Sequence, residues 1–308
     1  MKFLITGGAG FIGSNIASEL LKKGYSVRIL DNFSSGKREN LKGMEKDIEL
    51  VEGDIRSYHI VQDSLKDIDI VLHQAALPSV PRSIKDPITT NDVNINGTLN
   101  ILEAAVDMKV KRVVYASSSS VYGDNPVLPK VETMIPNPLS PYAVSKLTGE
   151  KYCNVFSRIY GLETVCLRYF NVFGPRQDPT SQYSAVIPKF IKSISQDIQP
   201  VIYGDGEQSR DFTYISNVIQ ANILAATSDC ESGITLNCAV SGQITLNDLV
   251  KEMNKLMNKD VKPIYEGTRA GDIKHSFADI SLAEKSIGYK PVVSFQEGLK
   301  KTIESYLI

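Results

Sequence analysis

A glycine turn set between a short apolar run and an amphipathic stretch constrains this chain more than any other feature. Lys2 to Thr6 reads as a strand, Phe11 to Lys23 as a helix, and Thr6-Gly7-Gly8-Ala9-Gly10-Phe11-Ile12-Gly13 joins them. Glycines there let the turn tighten and let backbone approach a pyrophosphate, while the helix N-terminus offers free N–H groups and partial positive charge. Gly8, Gly10 and Gly13 satisfy one dinucleotide spacing; Gly7, Gly10 and Gly13 satisfy another. Asp31 follows roughly 20 residues on, where a carboxylate meets the adenosine ribose hydroxyls and repels a 2′-phosphate. The expected cofactor is NAD, bound over Gly7, Gly10, Phe11, Ile12 and Gly13 with Asp31 and Asn32 at the ribose. Lys37 and Arg38 are the residues that would argue for a 2′-phosphate instead. Asp54, beside Ile55, reads equally as an acceptor for the adenine amino group and as a helix N-cap.

Further strands are expected at residues 25–30, 48–51, 68–72, 112–116 and 163–168, with helices at 57–65, 91–106 and 140–159. Such alternation predicts a doubly wound parallel sheet of Rossmann type, covered on both faces. After Phe170 the rhythm changes: residues 171–184 read as a loop, and the remainder mixes short strands with helices near 185–195, 216–227, 246–257, 282–287 and 295–306. The expected organisation is a dinucleotide domain over 1–170, with parts of the later chain packing back on it. Residues 171–308 form mainly a smaller mixed α/β substrate lobe. A formal net charge of -1 gives no global field toward nucleic acid or anionic membrane. No apolar run approaches the ~20 residues of a membrane span. The three scattered histidines give no metal site, and the four unpatterned cysteines suit a reduced, cytoplasmic setting.

Tyr142 and Lys146 stand four residues apart, on one face of a predicted helix. Phenol is a poor base at neutral pH, and a nearby ammonium favours its phenolate. Upstream, the run Ser117-Ser118-Ser119-Ser120 ends a core strand, and strand carboxyl ends face the ligand crevice in such sheets.

With these strings in place the chain resembles the extended short-chain dehydrogenase/reductases. Within them it looks like the UDP-sugar 4-epimerases, especially the branch acting on N-acetylated UDP-hexoses. TGGAGFIG, DNFSSGKREN, HQAALPSVPRSI, YASSSSVYGD, NPLSPYAVSK, LRYFNVFGPRQDP and GDGEQSRDFTYI carry the resemblance nearly end to end. It implies Tyr142 as base, Lys146 as its electrostatic partner and Ser118 as the triad serine, counted back from Val121-Tyr122-Gly123. Ser119 and Ser120 adjoin the substrate, and Gln74, Ala75 and Ala76 approach the cofactor. The implied reaction oxidises the sugar at C4, lets the 4-keto sugar turn over, and returns hydride to the other face. NAD ends as it began, and a tight grip on the nucleotide must accompany a loose one on the sugar.

The resemblance also implies Arg210 and Arg269 at the pyrophosphate, Asn171 at the phosphates, and Ala185, Val186 and Tyr203 at the uracil. Forked guanidinium groups suit phosphate oxygens. An ion pair for Arg210 and core packing for Ala185 and Val186 stay open. Ser79 and Arg82 match the branch for acetylated sugars, and Ser276 falls on a size gate that admits an N-acetyl group. Rival readings are a UDP-glucuronate epimerase or decarboxylase, a 4,6-dehydratase, and an NAD-sensing protein without catalysis. No acid follows Ser118, against a dehydratase; Tyr142 and Lys146 are both present, against the sensor. Family members pair through the two long helices, which implies a homodimer.

Overall fold

The computed structural model describes residues 1–178, 185–268 and 274–307; Arg269 lies outside them. Six parallel strands form in the expected places: β1 (Lys2–Thr6), β2 (Ser26–Asp31), β3 (Ile48–Glu52), β4 (Ile70–His73), β5 (Arg112–Ser118) and β6 (Glu163–Tyr169). A seventh, Ile234–Cys238, comes from the later chain and pairs parallel with β6. The sheet order is seventh-β6-β5-β4-β1-β2-β3, so the chain reverses direction between β1 and β4. That switch point opens the crevice in which ligands of such sheets sit.

Alternate residues of each strand enter opposite cores. Phe3, Ile5, Ile29 and Leu72 pack with Ile16, Ala17 and Leu20 of the helix Phe11–Lys22 and with Val218, Ala221 and Ala225 of the helix Ile215–Thr227. Leu4, Leu30, Val71 and Tyr115 face Ile101, Leu102, Cys153 and Phe156 on the other side. Both faces are buried, so the strands read as continuous Val/Ile/Leu runs.

The expected helix at 91–106 begins earlier. Asp86 caps it by accepting from the Thr89 N–H at 3.0 Å, with Pro87 in the first position. The helical run then passes through one π-helical turn, Asp92–Asn96, before Gly97–Asp107. That turn aims Asn94 inward, where its side chain bonds both backbone groups of Leu77 and donates to Ser145 Oγ at 3.0 Å. The catalytic-helix candidate, Pro141–Tyr160, is capped by Ser140, which accepts from the Ala143 N–H, and ends at Gly161 in the left-handed region. It lies close against the sheet because Gly149 leaves room for Tyr115: a Cβ there would meet the ring carbon Cε1 at 2.8 Å. Gly149→Ala is expected to lower stability by about 1–3 kcal/mol through overpacking. An unchanged thermal midpoint would contradict this packing.

Candidate active site

The glycine turn is built as a cradle. Gly7 has φ of 66°, and a Cβ on it would come within 2.8 Å of the Ala75 backbone. A Cβ on Gly13 would enter the Gly8 backbone at 2.8 Å. Gly10 precedes the helix in extended conformation, and neither a side-chain cap nor an acidic group occupies its first turn. The helix N–H groups are thereby open to a pyrophosphate. Phe11 and Ile12 begin that helix, half-buried beneath the turn. Asp31 closes the turn by accepting from the N–H groups of Ala9 and Phe33, each at 2.8 Å; burial pushes its carboxyl up. The two cations that would hold a 2′-phosphate are engaged elsewhere: Lys37 with Asp178 at 2.8 Å, Arg38 with Glu52 and over the Phe33 ring. These residues fit NAD.

Asn32 donates to Asp54 at 2.8 Å. Asp54 is no N-cap, because Ser57 takes that place before the helix Tyr58–Ser64. Asp54 instead turns on the Arg56 N–H, and the Arg56 guanidinium holds its carboxyl down to about 2. Ile55 beside it is buried, at the place where Gly97 makes room.

Across the switch point, β4 delivers His73. The Thr98 hydroxyl donates to the Asn94 carbonyl at 2.6 Å, so His73 Nε2–H must be the donor to Thr98 at 2.9 Å. Nδ1 then accepts from Thr6 at 2.6 Å, and the Thr6 oxygen accepts from the Ala75 N–H at 3.1 Å. This one-way chain fastens the glycine turn to Ala75 and Ala76. Full burial holds His73 neutral, pushed down to about 3. Gln74 is clasped from the later chain: it donates to Asn222 and accepts from the Tyr169 hydroxyl, both at 3.0 Å.

At the carboxyl end of β5, the Ser120 hydroxyl donates to Ser118 Oγ at 2.9 Å and the Ser120 N–H donates at 3.2 Å. The neighbouring Ser118 hydroxyl favours the charged form of the Tyr142 phenol. Ser119 has no place in this chain. The Lys146 ammonium donates to the Ala116 carbonyl at 2.8 Å and lies 5.1 Å from the Tyr115 ring centroid and 6.0 Å from that of Tyr142. In the chain alone the Tyr142 phenol does not show the lowering expected beside Lys146 and a positive nicotinamide ring. Burial pushes the phenol up, with the Ser118 bond opposing, and burial pushes Lys146 down to about 8. Desolvation disfavours both charged forms and is the largest influence on each.

A second hollow, a cavity of about 510 Å³, lies in the later chain. Asn171, Val186, Tyr203 and Arg210 line it together. Ala185 does not; it precedes the helix Val186–Ser195 and is exposed. Arg210 pairs in register with Ser276 on a short parallel ladder. Ser79 caps the helix Val80–Lys85 by accepting from the Arg82 N–H at 3.3 Å, and neither residue lines this cavity. Two lining residues were not expected from the sequence. Lys189 falls one turn after Val186, a spacing that could have revealed it. Gln208 donates to the Tyr203 carbonyl at 2.6 Å, and its buried Oε1 has no partner among the described residues, a place for a ligand N–H or O–H. Asp211 next to Arg210 accepts from the Val240 and Ala278 N–H groups, and burial raises its carboxyl to about 6.

The fold and the cradle define a dinucleotide-dependent enzyme. The model of the NAD dependent epimerase/dehydratase family matches residues 3–239, and the chain belongs to that family. The putative UDP-glucose 4-epimerase of Methanocaldococcus jannaschii is 38% identical over 302 residues, 97% of this chain and 96% of the relative. The structure of a UDP-N-acetylglucosamine 4-epimerase from Methanobrevibacter ruminantium M1 in complex with UDP-N-acetylmuramic acid superposes with a TM-score of 0.95 at 44% identity, covering 99% of this chain and 98% of that one. The Thermus thermophilus UDP-glucose 4-epimerase in complex with NAD gives 0.90 at 34%, covering 100% and 99%. Other relatives carry the names UDP-glucuronate 4-epimerase, at 34% identity, and UDP-N-acetyl-alpha-D-glucosaminuronate decarboxylase, at 32%. No helix among the described residues is long and apolar enough to cross a membrane. Nor do those residues contain a cluster able to hold a metal ion.

The depressed His73 fixes a sign. Its unfolded form protonates as pH falls below about 6.5 while the folded form stays neutral toward 3, so stability is lost over that window. Asp211 acts oppositely between its ordinary value and about 6, and a difference measurement cancels it. The stability gap between the parent and His73→Gln should therefore shrink by about 2 kcal/mol from pH 7 to pH 5, by urea denaturation. A gap independent of pH would contradict a neutral, buried His73.

Proposed function

We propose that the protein interconverts the C4 epimers of a UDP-hexose, with the N-acetylated pair, UDP-N-acetylglucosamine and UDP-N-acetylgalactosamine, preferred over UDP-glucose and UDP-galactose. The observation that carries this reading is the gathering of Ser118, Tyr142 and Lys146 at the carboxyl edge of the sheet, with the Lys146 ammonium held on the Ala116 carbonyl at 2.8 Å and 6.0 Å from the Tyr142 ring centroid. Tyr142 takes the proton of the 4-hydroxyl and later returns it. Ser118 holds the phenol oxygen in place, and Lys146, fixed on the Ala116 carbonyl, stabilises its charged form. NAD, when bound, supplies the two-electron acceptor that makes oxidation at C4 reversible. In this reading residues 1–170 serve chiefly the cofactor and 171–308 the nucleotide sugar.

The grip is divided. Arg210 and Asn171, with Arg269, take the phosphates, and Val186 and Tyr203 take the uracil. Asn171, Val186, Tyr203 and Arg210 line one cavity, from which the sugar would extend to Ser118 and turn about its pyrophosphate link. Ser276 stands opposite Arg210, where a small side chain leaves space for an acetamido group. Ser79 and Arg82 belong to the same sugar end. The N-acetyl preference has the support of the 44% identical M. ruminantium relative.

We further propose a homodimer. The outer face of the helix Pro141–Tyr160 carries exposed Val144, Val155 and Ile159, and the adjoining turns expose Ile84 and Ile88, at 64% and 81%. A second copy packing on this stripe buries it in a four-helix arrangement. Ile159→Glu is expected to convert a sedimenting dimer to monomer; a parent that sediments as monomer contradicts the proposal.

NMR of the NAD-loaded protein with each UDP-hexose should show the 4-epimer without added NAD. Tyr142→Phe should lower kcat by roughly 10²–10⁴-fold. Turnover at the parent rate would remove the base. Ser276→Tyr should depress turnover of UDP-N-acetylglucosamine far more than that of UDP-glucose, and equal losses would remove the gate. Carbon dioxide from UDP-glucuronate would establish the decarboxylase reading in its place.

A further inference from the structure

One helical turn beyond Lys146 the same helix carries a carboxylate that the proton-transfer groups do not use. Glu150 and its partner Arg168 on β6 are both 4% exposed. The pair is bidentate, with Arg168 Nε and Nη2 donating to the two carboxylate oxygens at 2.8 Å each. Ser117 Oγ donates a third bond, at 2.5 Å. Ser117 stands between Ala116, whose carbonyl holds the Lys146 ammonium, and Ser118. The Arg168 guanidinium also lies 4.6 Å from the Tyr122 ring centroid. Removing two ions from water costs several kcal/mol each, and buried pairs are seldom net stabilisers. An apolar pair of equal volume would serve packing as well.

We propose that Glu150, kept ionised by Arg168, is a positioning residue that holds Lys146 charged in its dry site and, through Ser117, fixes the strand end that presents Ala116 and Ser118. This rests on the reading of Tyr142 as the base. Lys146 is faced by Tyr142, Glu150 and Cys153 from its own helix, by Tyr115 from β5 and by neutral His73 from β4. Among these groups Glu150 is the carboxylate. Burial pushes the ammonium down, and Cys153 and Glu150 pull it up, Glu150 as the carboxylate one turn along the helix. Without that pull Lys146 neutralises sooner, and a neutral amine no longer favours the phenolate. The active form of Tyr142 then arises only at higher pH.

The test is kcat and KM against pH for the NAD-loaded enzyme with a UDP-hexose. The variants are Glu150→Gln and the double variant Glu150→Gln/Arg168→Met, which leaves no unpaired buried ion. The rising limb of kcat is expected to move up by about one pH unit in the double variant and further in the single one. On that limb, this is about a ten-fold loss at fixed pH, recovered at high pH, with KM unchanged. Glu150→Asp keeps the charge and should keep the parent limb, so a shift there would overturn the inference. A kcat lowered by one factor at every pH would overturn it too, as would a profile that superposes on the parent's. Tyr142→Phe separates the two levels. Full turnover in that variant removes the base and this inference with it. Lost turnover beside an unmoved limb in the Glu150 variants rejects this inference alone.

Discussion

Desolvation of the Tyr142–Lys146 pair governs the arrangement around it. A phenol and an ammonium held out of water both lose their charged forms, and the structure records both shifts. Every neighbouring group bears on that penalty. The Ala116 carbonyl accepts from the ammonium, the Tyr115 ring faces it, Cys153 and Glu150 pull its pKa up, and Ser118 favours the charged phenol. The chain alone thus holds the phenol protonated; in the proposed reading a positive cofactor ring beside it would favour phenolate.

The same economy fixes the cofactor cradle. Thr6, His73 and Thr98 each spend a donor on the next group's acceptor, ending at the Asn94 backbone carbonyl, so three buried polar side chains leave no ambiguity of tautomer. Such a satisfied chain specifies one geometry, whereas a broken link would leave a costly orphan. The later chain closes over this frame. Tyr169 and Asn222 clasp Gln74, Asp178 pairs with Lys37, and the Tyr306 hydroxyl donates to the Gln177 carbonyl. Earlier and later parts of the chain are therefore joined by side chains from both.

Much of this was legible in the sequence. Strands buried on two faces announce themselves as β-branched runs, and a glycine turn before a helix has few other uses. The seventh strand was not legible: Ile234-Thr235-Leu236-Asn237-Cys238 is short and polar for a core strand, and its buried Asn237 makes sense only once Tyr122 donates to it and Lys130 and Asp279 accept from it. The earlier helix start could have been read from Asp86-Pro87, a cap followed by proline. Spacing placed Tyr142 and Lys146 on one face, but the sign of the Tyr142 shift depends on burial, which no spacing encodes. Likewise Asn171, Val186, Tyr203 and Arg210 meet at one cavity only through the folding of residues 171–210, which no local spacing encodes.

The most direct measurement is the ionisation of the Tyr142 phenol itself, followed by NMR of protein carrying ring-labelled tyrosine, with the resonance assigned by its loss in Tyr142→Phe. The account predicts a pKa above the ordinary tyrosine value of about 10 in the NAD-free protein and a fall on saturation with NAD. A phenol already acidic in the free protein, or one that NAD leaves unmoved, would contradict it.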